Sequence, residues 1–80
     1  MIRDTYAFLK QVAAATVAAT HDFTVKIDPL MRAVVVEGKR AFTTGDIVIQ
    51  HAVSFRECAD ATINPVVFAI RDIDRRLEKE

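Results

Sequence analysis

Three consecutive valines, Val34-Val35-Val36, constrain this chain more than any other feature. β-Branched side chains are stiff at χ1 and fit a pleated surface, so Arg32–Glu37 has the strongest strand composition in the sequence. Upstream, Phe23–Ile27 alternates in the strand manner, with Phe23, Val25 and Ile27 on one face and Thr24 and Lys26 on the other. Asp28-Pro29 lies between the two segments and is a turn signal, because Asp bonds its own backbone and Pro fixes φ. Downstream, Glu37-Gly38-Lys39-Arg40 reads as a tight hairpin turn, with Gly38 supplying a positive φ. A third strand over Arg40–Thr43 then completes an antiparallel meander.

Helical patterns flank this β region. From about Arg3 to Thr20, Leu, Ala, Lys and Gln favour a helix, and no Gly or Pro interrupts it. Phe8, Val12, Ala15 and Ala19 form its buried stripe, while Arg3, Asp4, Lys10 and Gln11 mark the wetter side. Between Val12 and Ala19 it is nearly apolar all round, a pattern suited to packing on a sheet and to contact with a second chain. At the other end, Asn64 is a good N-cap and Pro65 fits the first helical turn. Val66, Val67, Ile70, Ile73 and Leu77 make that helix's inner stripe, with Phe68 to one side. The intervening stretch, Thr44–Ala61, fits both templates. Ile47-Val48-Ile49 tips Asp46–Val53 towards a strand, and Ser54-x-x-Glu57 is a capping box for a helix after it.

Eighty residues leave no room for a second domain, and 51% apolar content supplies one core. A chain of this size buries roughly 60–65% of its unfolded surface, so a second copy is expected to cover more, as a homodimer. Cys58 is the only cysteine, which leaves no intrachain disulfide and makes the cytoplasm the expected compartment. The Ala-rich stretch Val12–Ala19 is too short to span a bilayer and is flanked by Lys10 and Gln11, so neither export nor a membrane anchor is expected.

Catalytic and cofactor chemistry finds little support. The two glycines, Gly38 and Gly45, lie in no phosphate-binding fingerprint. His21, His51 and Cys58 have no ligand spacing, so neither a metal nor a cofactor is expected. His51, Ser54, Glu57 and Cys58 form the densest reactive set. It reads better as a helix cap beside a small buried thiol than as a nucleophile and base. Formal net charge is zero, although residues 23–45 hold Lys26, Arg32, Lys39 and Arg40 against Asp28 and Glu37. These basic residues are the candidates for nucleic-acid contact, which a neutral chain does not favour. The apolar surplus points instead to a protein partner, docked on the alanine face of the first helix or the outer side of the valine strand.

The resulting expectation is one α+β domain over residues 1–80: an N-terminal helix, a three-stranded antiparallel sheet, and C-terminal helical segments packed on one sheet face. Its size, neutral charge, lack of catalytic motifs and compact layout resemble the small inhibitors that phages encode against host defence complexes, anti-CRISPR proteins among them. That resemblance implies a non-enzymatic protein that sterically blocks a surface of such a complex. The residues expected to bind are Arg32, Lys39 and Arg40 on the sheet, and Arg71, Asp72, Arg75 and Arg76 on the last helix. The rival readings are a small nucleic-acid-binding regulator using the basic strands and a structural or assembly subunit.

Overall fold

Alternation in the sequence becomes a β1-β2-β3 antiparallel meander of β1 (Asp22–Asp28), β2 (Ala33–Phe42) and β3 (Gly45–Ser54). A computed structural model describes residues 5–60 and 62–80. Three helices complete it: α1 (Thr5–Ala18), α2 (Phe55–Asp60) and α3 (Pro65–Lys79). The expected helix start at Arg3 and Asp4 lies outside the described residues. The fold is α+β, with all three helices placed as the sequence predicts.

The expected turn at Gly38 is corrected. β2 runs unbroken through it, and the chain reverses instead at Thr43-Thr44, where Phe42 faces Gly45 across a two-residue hairpin. Gly45 holds the positive φ, 140°, that the reversal needs. The third strand is therefore Gly45–Ser54 rather than Arg40–Thr43, which also settles the ambiguous Asp46–Val53 stretch as strand. Ser54 ends it as the predicted capping box does, its Oγ accepting the Glu57 N–H at 3.0 Å. The turn at Asp28 holds too, with Oδ1 accepting from the N–H groups of Leu30 and Met31 at 3.0 and 3.1 Å.

Register explains why Gly38 is a glycine. Phe23, Gly38 and Ile49 lie in one cross-strand row, as do Val25, Val36 and His51, and these rows face the helices. α3 crosses directly above: a Cβ on Gly38 would stand 2.6 Å from Ile73 Cγ2 and 2.9 Å from the Phe23 ring. The missing side chain lets the helix settle onto the sheet. Val66, Ile70, Ile73 and Leu77 of α3 then close over Val34, Val36 and Val53, each buried to within a few per cent. Full burial of such side chains stabilises by roughly 1.5–3 kcal/mol each. The opposite sheet face carries Lys26, Val35, Glu37, Lys39 and Gln50 and has no layer over it among the described residues, which measure only 17 Å along their shortest axis.

Gly38→Ala is expected to cost about 1–3 kcal/mol, since the new methyl would overlap Cγ2 of the fully buried, β-branched Ile73. Urea unfolding of the two proteins measures it. A lowered midpoint with unchanged slope is the expected result.

Candidate functional site

A helix apolar on all sides normally lies in the middle of a core. α1 does not. Phe8, Val12, Ala15 and Ala19 meet the core as predicted, but Val12 alone among its described residues is fully buried, and Tyr6 and Val17 are 74% and 86% exposed. α1 leans chiefly against α3 rather than lying on the sheet.

Two polar ties set that arrangement. At one end, buried Asn64 caps α3 by accepting the N–H groups of Val66 and Val67 at 3.1 and 3.3 Å. Its Nδ2 donates to the Phe8 carbonyl at 3.3 Å and to Gln11 Oε1 at 3.1 Å. At the other end, Asp74 accepts the backbone N–H of Thr20 on both carboxylate oxygens, at 3.0 and 3.1 Å, and that of His21 at 3.0 Å. The His21 ring Nδ1 lies 2.7 Å from the same carboxylate, and its Nε2 is 3.5 Å from Glu78. Partial burial alone pushes the Asp74 carboxyl up, but these hydrogen bonds outweigh it and hold the group below its ordinary value.

The ties, about 15 Å apart along α3 at 1.5 Å per residue, make α1 and α3 run side by side in the same direction. Between them lies a groove of about 700 Å³ with Ala14 and Ala18 on one wall and Ile63, Val67 and Phe68 on the other. Arg71 stands on its rim, exposed, and makes no hydrogen bond or ion pair among the described residues. A second groove, about 550 Å³, opens on the other flank of α3 above Ile49 and His51 of β3. Asp72, Arg75 and Arg76 line it, with Asp72 accepting from Arg75 at 3.2 Å and ion-paired with Arg76 at 3.0 Å.

The seven charged residues singled out from the sequence therefore do not form one surface. Arg71, Asp72, Arg75 and Arg76 gather on α3. Lys39 lies on the bare sheet face, 3.9 Å from Asp46. Arg32 occupies the β1–β2 turn with a φ of 51°. Arg40 points to the helix side, where Nη1 donates to the Leu77 and Glu78 carbonyls at 2.6 and 3.2 Å and the guanidinium stacks 4.8 Å from the Phe42 centroid. It caps the C-terminal end of α3, where a cation also complements the helix dipole. Sequence reasoning passed over Phe68, Ile63 and the Asn64 and Asp74 ties. Asn64 was legible as a cap, but its second role needs a residue 53 positions away.

The reactive set separates as well. His51 projects from β3 towards the helices, and Ser54 Oγ is engaged by Glu57. Burial first, and the Glu57 charge second, raise the Cys58 thiol, which keeps it protonated and a weak nucleophile. Among the described residues no three His, Cys, Asp or Glu side chains gather as metal ligands, and no helix is long and apolar enough to cross a membrane.

Because Asp74 is held below its unfolded value of about 3.9, its contribution is present above that pH and is lost as pH falls through the folded value. Asp74→Asn is expected to lower stability by about 1–3 kcal/mol at pH 7. The gap from the parent protein should narrow as pH falls through the folded value, where both come to carry a neutral side chain. Thermal melts from pH 7 to pH 2 measure this. Comparison of the chain with protein-family models, with curated proteins and with solved structures finds no match.

Proposed function

We propose that this chain is a non-enzymatic protein-binding module of the cytoplasm, and that the α1–α3 groove takes an apolar helical segment of its partner. One observation carries the reading: a groove held open at both ends by buried or half-buried polar ties, walled by small and apolar side chains, with an unpaired arginine on its rim. Alanine walls admit a helix closely, and the distance between the ties matches about three helical turns. Arg71 selects a partner that brings an acidic residue to the rim, and an aromatic beside an arginine is a common anchor composition at interfaces. Of Lys26, Arg32, Lys39 and Arg40 only Lys26 and Lys39 share a surface, with Glu37 among them, while Arg32 sits in a turn and Arg40 on the helix side, which favours this over phosphate binding, where clustered charge is needed. The raised Cys58 thiol and the engaged Ser54 favour it over nucleophilic catalysis. The narrower form, an inhibitor that blocks a host defence complex, rests on the resemblance in size, charge and layout.

Photo-cross-linking from position 18 in the groove, with position 26 on the bare sheet face as control, tests the reading in nuclease-treated lysate. A defined protein captured from position 18, not from position 26, and lost on Arg71→Glu is the expected result. Equal capture from both positions, or none from position 18, refutes it.

A further inference from the structure

The sheet has two open edges, and they differ. β1 carries Asp22, Lys26 and Asp28 along seven residues, the charged kind of edge that resists pairing with another strand. β3 is ten residues long, and from Ile47 to Val53 it contains no charge, no proline and no glycine. Its ladder to β2 continues into the Phe55 N–H, which donates to the Arg32 carbonyl at 2.8 Å. Odd-numbered residues of β3 thus pair with β2, and Asp46, Val48, Gln50 and Ala52 turn their N–H and C=O groups to the open edge, while Ser54, as the cap of α2, gives its carbonyl to the helix.

We infer that β3 pairs antiparallel with β3 of a second copy of this chain, about a two-fold axis through Gln50, giving a continuous six-stranded sheet. Three features of the strand select that occupant. First, the Gln50 register pairs the free backbone groups at the centre of the strand: Val48 faces the partner's Ala52, Gln50 faces itself, and Asp46 faces the partner's Ser54 at each end. Second, no like charges meet in it, and on the helix side Ile49 and Ile47 fall against the partner's His51 and Val53, so the seam on that face is aliphatic apart from His51. Third, the helices fit. α3 lies over β2 and β3. It crosses above Gly38 of the central strand, so the space over the edge strand beside Ile49 and His51 stays open. The groove between β3 and α3, with Phe68 and Ala69 on its helical wall and the Asp72, Arg75 and Arg76 cluster along it, is the space the second copy closes. The α1–α3 groove opens on the other flank of α3, shares only Phe68 and Arg71 with this one, and is not required for this pairing.

Sedimentation of the purified chain, with no partner present, provides the test. A concentration-dependent dimer is expected, weakened roughly tenfold or more by Gln50→Lys, which sets two like charges against each other on the axis. Thr24→Lys is the matched control: Thr24 occupies the same cross-strand row on the β1 edge, through Glu37. It should leave the dimer unchanged. Should Gln50→Lys lose its folded circular-dichroism spectrum, Gln50→Cys in a Cys58→Ser background decides, through a disulfide-linked dimer formed under mild oxidation. A wild-type chain that stays monomeric at the highest concentration reached overturns the inference. So does equal weakening by the Thr24 and Gln50 changes, or the absence of the cross-link.

Discussion

Ile73 seated on Gly38 is the contact from which the rest of this molecule is set out. It brings α3 down until its apolar stripe meets the valines of β2 and β3, and so fixes which strands α3 covers. Because α3 sits over β2 and β3, α1 has to find its place along the flank of α3 rather than on the sheet. The end of α3 then reaches Arg40, whose side chain is turned from solvent to satisfy two terminal carbonyls. Both grooves are shaped by the position of this one helix.

The two sides of α3 are held by different physics. Beneath it, large aliphatic side chains exclude water, and the contact gains from buried area. Beside it, alanines bury little, and α1 is placed mainly by Asn64 and Asp74, whose hydrogen bonds are directional and specify one register. Buried polar groups that are fully satisfied specify geometry well, and no buried side-chain polar atom among the described residues lacks a partner. A groove fixed in this way suits recognition of a rigid segment, because little ordering is left for the moment of binding.

Local signals in the sequence were reliable where one residue type has one use. Asn64-Pro65, Ser54-x-x-Glu57 and Asp28-Pro29 each did in the fold what their chemistry requires. Gly38 misled because a glycine followed by Lys39 and Arg40 has the composition of a primed turn. Its true role, making room for Ile73, depends on a contact 35 positions away. The period-2 alignment of Val34, Val36, Gly38 and Arg40 was the available signal for an unbroken strand, and it also placed Arg40 on the helix side. On the candidate surface, the charged residues of α3 were legible as one group because helical spacing gathers them. The groove was not, since its walls come from opposite ends of the chain and its ties join residues more than 50 positions apart.

That separation has a consequence for how the protein is made. The meander joins neighbours in the chain and can form as soon as its hairpins leave the ribosome, whereas α1 is synthesised early and its partners on α3 late. Throughout translation of the sheet, an alanine-rich helix with Tyr6, Leu9 and Val17 on its surface has nothing to dock on. The nascent chain therefore carries its most apolar helix unpartnered until Asn64 and Asp74 have been added, and this interval, rather than the finished fold, is where the chain most needs protection from aggregation.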